Sequence, residues 1–257
     1  MSGFHIDDDD RPVGRVLSRR EVLILFGGTG AALATGAIAA GALAQSPSAG
    51  TRATASALPA CVVVPELTEG PYFVDERLDR SDIRTDTATG AVSEGARFDL
   101  SWVVTRIDGS ACTPLEGAMV DIWHCDAAGA YSDVQDPGYS TAGQDYLRGY
   151  QLTDADGRAT FTTVYPGWYD GRAVHIHFKV RTGPDQSSGT QFTSQLFFDD
   201  AFTDTVYAAE PYAARGTRTV LNTQDGIYQQ SGGQTLVPVT ATVDGYAGTF
   251  AVGVRMG

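Results

Sequence analysis

Histidine and cysteine are scarce in this 257-residue chain, with four and three residues respectively. There is no CxxC pair and no Cys/His cluster, which excludes a zinc finger. Basic residues are also few, 18 Lys plus Arg against 31 Asp plus Glu, for a formal charge of −13. An acidic surface repels phosphate backbones, so nucleic acid is not an expected partner. The charge speaks for solubility rather than for a fold. Beyond residue 60 no stretch holds a long helical period, which sets helical architectures aside.

One long apolar run exists, and it lies at the N-terminus. Ser18, Arg19 and Arg20 precede a Gly/Ala-rich stretch that starts at Val22 and ends in Ala42-Leu43-Ala44, an A-x-A-like cleavage site. Residues 1–44 therefore resemble a twin-arginine export signal, although Val22 stands where phenylalanine is usual and Asp7–Asp10 is an unusual acidic run. The run is long enough to span a bilayer as an uncleaved anchor, but its Gly/Ala content and the A-x-A site favour cleavage. The expectation is an extracellular or cell-envelope protein with no stable membrane association after cleavage. Such export carries folded proteins, which suits a chain that takes up a cofactor first. Residues 45–60, rich in Ser, Ala, Thr and Pro, read as a flexible linker. Residues 61–257 suffice for one domain with a sizeable core. In an exported protein a disulfide is expected, and Cys61 with Cys112 is the expected pair, both lying in loop-like sequence, whereas Cys125 ends an apolar strand.

What the chain does have is short alternating runs between turn signals. Residues 61–76 carry a Gly70-Pro71 turn without periodicity and are expected to drape over the domain. Arg97–Asp108 alternates cleanly, with Phe98, Leu100, Trp102 and Val104 on one face. Gly117–His124 reads as a second strand. Tyr150–Thr153 and Arg158–Val164 flank Asp154-Ala155-Asp156-Gly157 and read as a hairpin. Further strands are expected at Phe192–Phe198, Thr235–Val243 and Gly248–Val254, with a less regular stretch and a short helix within 203–230. The pattern predicts an all-β fold: an antiparallel β-sandwich, prealbumin- or immunoglobulin-like, with long loops and at most short helices.

Within that frame Pro166–Phe178, PGWYDGRAVHIHF, gathers Tyr169, Arg172, His175 and His177. Side chains alternate along a strand, so both histidines project from one face while Ile176, Phe178 and Val180 project from the other. Two imidazoles side by side suit a metal. Taken alone, they equally suit the solvent face of a half-buried strand, as Lys179 on that face suggests.

The segments WHCDAAGAY, LRGYQLTDADGRATFTTVYPGWYDGRAVHIHF and SQLFF closely resemble, in order, the motifs of the intradiol ring-cleavage dioxygenases, the family of the protocatechuate and catechol dioxygenases. The resemblance runs from about residue 61 to 228. It implies a non-heme Fe(III) held by Tyr131, Tyr169, His175 and His177, an arginine at 172 that contacts substrate, and Gln195 as a hydrogen-bond donor lining the same pocket. It also implies O₂-dependent cleavage of a catechol-type ring between its hydroxylated carbons, giving a cis,cis-muconate-type diacid in aromatic catabolism. The family assembles in several ways, a homodimer among them. The short loop between Tyr169 and His175 points to a pocket unlike that of the protocatechuate enzymes. Ferric iron is a hard ion, and two phenolates with a hydroxide balance its charge, which explains tyrosines where ferrous oxygenases carry a carboxylate.

Other readings compete. A non-catalytic β-sandwich binding module explains GAMVDIW and TDADGRATFTTVYPGWY, but has no need of HxH with two tyrosines. A zinc hydrolase built on the histidines lacks an evident third ligand. His124 reads as a structural hydrogen-bonding residue, Trp123 and Trp168 as core or pocket walls, and Tyr72 as an aromatic that helps to close the pocket.

Overall fold

Alternation in Arg97–Asp108 builds the central strand, β1, of the first sheet. Phe98, Leu100, Trp102 and Val104 are all buried in the main apolar cluster, as their spacing predicts. The computed structural model describes residues 62–136, 138–183 and 189–256. The expected export signal (1–44), the linker (45–60) and Cys61 lie outside the described residues. Cys112 is disulfide-bonded, and Cys125 is a free, buried thiol.

The strands that follow are β2 (Ala111–Pro114), β3 (Met119–Trp123), β4 (Gln135–Asp136), β5 (Tyr139–Ser140), β6 (Arg148–Leu152), β7 (Arg158–Val164), β8 (His175–Arg181), β9 (Gln191–Phe197), β10 (Val239–Ala241) and β11 (Tyr246–Arg255). One sheet runs β10-β11-β1, with β1 pairing β7 along its first half and β2 along its second. The other runs β6-β3-β8-β9. The all-β sandwich stands, with one departure from antiparallel pairing: β1 and β11 are parallel over Phe98–Ile107.

The expected hairpin around Asp154–Gly157 does not form. β6 pairs with β3 and β7 with β1, so the turn carries the chain from one sheet to the other. The turn is closed locally, Asp154 N–H to Arg158 O and Gly157 N–H to Asp154 O, both at 2.9 Å, which is the part that sequence spacing reports. Which sheet each strand joins depends on the apolar faces: Ala159 and Phe161 of β7 pack into the core from the β1 side.

Every residue of β8 is buried. Ile176, Phe178 and Val180 face the inter-sheet core. The opposite face is covered by residues 65–80, a strap that crosses all four strands. Leu67 N–H bonds Thr193 O on β9 at 3.0 Å, and Arg80 N–H bonds Tyr150 O on β6 at 3.2 Å. In between, Lys179 pairs with Glu69 and sits 4.0 Å above the Phe73 ring. Arg181 holds Asp75 through two bonds of 2.8 and 2.9 Å, and Arg148 donates to Tyr72 O at 2.7 Å. Lys179 is thus no sign of a solvent face; it is 7% exposed.

After β9 the chain forms α1 (Asp200–Tyr207) and α2 (Gly226–Ser231), with single 3₁₀ turns at Tyr212–Arg215 and Asn222–Gln224 between them. No helix among the described residues is long and apolar enough to cross a membrane.

Candidate metal centre

Register across the second sheet sets the floor of the site. Trp123 of β3, His177 of β8 and Gln195 of β9 are paired neighbours in one row, with His175 opposite Phe197 in the next. The Trp123 indole stacks on the His177 ring, centroids 5.1 Å apart and planes within 9°, which fixes the imidazole's tilt. His175 donates from Nδ1 to Ala173 O at 2.6 Å, leaving its Nε2 with a lone pair.

Two loops bring in the tyrosines. Asp126 Oδ1 accepts the N–H groups of Ala128 and Ala130 at 2.9 and 2.8 Å, curling the small-residue loop that delivers Tyr131. The Pro166–Tyr169 loop lies directly against it. A Cβ on Gly167 would sit 2.2 Å from Asp126 O, and one on Gly129 would sit 2.2 Å from Trp168 O, so only glycine permits the approach. The carbonyls of Tyr165, Pro166 and Trp168 are in turn held by Tyr212, Tyr207 and Arg215 at 2.6 to 2.8 Å, the service performed by the irregular segment after β9.

The result is a convergence on one atom. His175 Nε2 lies 3.0 Å from His177 Nε2, 3.1 Å from Tyr169 Oη and 3.4 Å from Tyr131 Oη. A single lone pair accepts one hydrogen bond, so His175 Nε2 cannot satisfy all three neighbours by itself. Donors about 2.1 Å from a shared ion and at right angles would stand about 3 Å apart, which is the spacing seen. The chemistry of the set agrees. Burial pushes the His175 imidazole down to about 3, with Arg172 adding to the effect, and holds His177 well below its usual value, so both are neutral ligands at pH 7. Burial pushes Tyr131 well above its usual value and Tyr169 up to about 12, so only a cation replacing the protons turns them into phenolates. Oxygen anions with imidazoles fit a hard, highly charged ion such as Fe(III). Among the described residues no group of three or more His, Cys, Asp or Glu side chains is placed to hold a metal, so the zinc-hydrolase reading finds no third ligand.

Arg172 enters from the side, 13% exposed at its side chain. Its Nε donates to Asp225 Oδ2 at 2.9 Å and its Nη2 to Gln195 Oε1 at 2.6 Å. Gln195, expected as a pocket donor, instead presents its oxygen to Arg172 while its amide nitrogen donates to Thr68 O of the strap at 2.9 Å. Tyr72 lies over the centre, stacked on Tyr131 at 4.5 Å and tied through its hydroxyl to Asp136 at 2.7 Å. Trp168 packs in the main core beneath the Arg215 guanidinium. His124 is fully buried away from the centre, bonded to Cys125 O at 2.8 Å and Thr163 Oγ1 at 2.7 Å. Sequence reasoning missed Asp126 and Asp225. The second had a local signal, an Asp-Gly pair opening a short helix.

A family model described as "Dioxygenase" matches residues 68–225, more than half of the chain. The chain belongs to the intradiol ring-cleavage dioxygenase family. The matched span begins in the strap at Thr68 and ends at Asp225, so it holds every residue of the centre. Among solved structures, an intradiol ring-cleavage dioxygenase from Tetranychus urticae superposes with a TM-score of 0.66 at 28% identity, over 76% of this chain and 95% of that one. Catechol 1,2-dioxygenase 1 of Acinetobacter lwoffii is 29% identical over 163 residues, 53% of this chain and 49% of that protein. The protocatechuate 3,4-dioxygenase beta chain of Burkholderia cepacia is 29% identical over 150 residues, 53% of this chain and 62% of that one. This intradiol-family chain thus spans about half to three-fifths of the length of those two relatives.

Proposed function

We propose that this intradiol-family protein holds ferric iron on Tyr131, Tyr169, His175 and His177 and cleaves catechol-type rings with O₂ to cis,cis-muconate-type diacids. The observation that carries the reading is the convergence of two phenol oxygens and the His177 nitrogen on His175 Nε2 within 3.4 Å. When bound, the ferric ion would supply positions for both catechol oxygens and draw electron density from the ring, priming it for O₂. The protein does the rest. The two imidazoles stay neutral, so the anionic charge of the set comes from the phenols. Tyr169, a weak acid in this setting, is a base able to take a catechol proton at Oη once it yields its place to substrate. Arg172 offers a fixed positive charge where negative charge builds on the ring, at no reorganisation cost during reaction. Tyr72, stacked on Tyr131, forms one wall of the space above the candidate ligands.

We also propose that the chain is exported by the twin-arginine route; Ser18-Arg19-Arg20, the A-x-A site and the disulfide at Cys112 support this.

The test is a visible spectrum of purified, iron-quantified protein before and after anaerobic addition of catechol. A wine-red band that moves to longer wavelength with catechol is the expected result. A protein that stays colourless after iron reconstitution would remove the tyrosines as ligands and favour a β-sandwich binding module.

A further inference from the structure

Asp225 is 2% exposed, and its two carboxylate oxygens serve two different elements. Oδ1 caps α2, accepting the N–H groups of Ile227 and Tyr228 at 2.8 and 2.9 Å. Oδ2 accepts from Arg172 Nε at 2.9 Å and from the Ala173 N–H at 2.8 Å. The carboxylate thus joins the irregular segment after β9 to the mouth of β8, 53 residues earlier in sequence.

A guanidinium is planar, and holding it at two nitrogens sets the direction of the third. Asp225 holds Nε and Gln195 holds Nη2, so the Nη1 edge, which makes no hydrogen bond to the described residues, has its direction defined by the other two. Gln195 is itself immobilised by Thr68 O and by its register opposite His177. Asp225 Oδ2 also takes the Ala173 N–H, in the peptide that follows Arg172, which anchors the backbone from which the arginine extends.

We propose that Asp225 is a positioning residue of this site, its Oδ2 setting the direction in which Arg172 presents its free guanidinium edge to the bound ring. The inference rests on the dioxygenase reading and deepens it. A charge-assisted bond to a carboxylate is stronger and shorter-ranged in its geometry than the tether a neutral partner provides, so loss of Oδ2 releases the long arginine side chain. Capping alone does not require aspartate, because serine and asparagine cap as well.

The last point supplies the experiment. Asp225→Asn keeps the side chain's shape but sets an NH₂ group against one of its two pairs of N–H donors. Asp225→Ser keeps a helix cap and is too short to reach Arg172. Both variants, and each combined with Arg172→Ala, are compared with wild type in iron content, visible band, anaerobic catechol titration and steady-state turnover. The expected result is wild-type iron content and band in both single variants, with kcat lowered about 10- to 100-fold and KM little changed. In the Arg172→Ala background the Asp225 changes are expected to add no further loss, since they act through that arginine. Wild-type kcat in both variants, a multiplicative loss in the Arg172→Ala background, or loss of iron with the turnover would each overturn the positioning role. A wild-type protein that binds no iron or turns over no catechol would instead bring down the dioxygenase reading, and the inference with it.

Discussion

At the residue scale the site is defined by what His175 Nε2 cannot do alone. Its single lone pair faces two phenols and an imidazole, an arrangement that suits a shared cation. Tyr131→Phe and His175→Ala are therefore expected to lose most bound iron and most turnover while keeping the β-fold, as read by metal analysis and circular dichroism. Full iron and normal turnover in either would remove that residue from the ligand set. Arg172→Ala is expected to keep iron and its visible band but to lose turnover by about 10²- to 10³-fold, the scale seen when one preorganised charge-stabilising donor is removed. The four candidate ligands and Arg172 were legible because their residue types are unusual together. Asp225 was not: a buried carboxylate that caps a helix and holds an arginine looks, in sequence, like any aspartate before a glycine.

At the element scale the strap decides whether the histidine face is wet. Alternation along β8 correctly separated His175 and His177 from Ile176 and Phe178, but it could not say what lies on the histidine side. Three buried or nearly buried cations, Lys179, Arg181 and Arg148, pin the strap through Glu69, Asp75 and the Tyr72 carbonyl. Arg181 also pairs with Asp121 on β3. Arg181→Met leaves the Asp121 carboxylate without its bonded cation, while the more exposed Asp75 keeps Arg77 at 3.5 Å, and breaking a buried pair from one side costs roughly 3–5 kcal/mol. The expected outcome is a lower denaturation midpoint with faster amide exchange across residues 65–80, measured by mass spectrometry. An unchanged exchange pattern in the strap would show that the backbone bonds to Thr193 and Tyr150 suffice. The Asp154–Gly157 turn carries the complementary lesson. Its local chemistry was readable, but a tight turn is compatible with a hairpin or a sheet-to-sheet crossing. β7 instead pairs with β1, and its Ala159 and Phe161 face the core between the sheets.

For the whole molecule, stability resides in the core between the sheets, where Trp102, Phe178 and Phe250 meet with ring centroids 4.5 to 5.8 Å apart. Phe178→Ala is expected to cost about 3–5 kcal/mol through lost burial and a cavity, as measured by denaturant unfolding. The same interior ties stability to pH. Burial pushes His124 down to about 4, from 6.5 unfolded. Its folded value is depressed, so the unfolded chain takes up the proton first, and stability falls as pH drops from about 6.5 toward 4. At about 1.4 kcal/mol per unit, the contribution lost is roughly 3 kcal/mol. The expected result is a shallower loss of stability over that window for His124→Gln than for wild type, both metal-free. Parallel slopes would mean that His124 takes up its proton over the same pH range folded as unfolded.

By itself the sequence determined the all-β class and the strand cores, and singled out the candidate site residues, because alternation and rare residue combinations are local properties of a chain. Only the tertiary structure decided three things. It set the parallel pairing of β1 with β11, it placed a strap over the histidine face, and it brought Gln195 and Asp225 into hydrogen bonds with Arg172. Each depends on contacts between separate segments, 23 residues apart for Arg172 with Gln195, 53 for Arg172 with Asp225 and 127 for Gln195 with Thr68. Register and packing create those contacts when the sheets close; no local pattern encodes them.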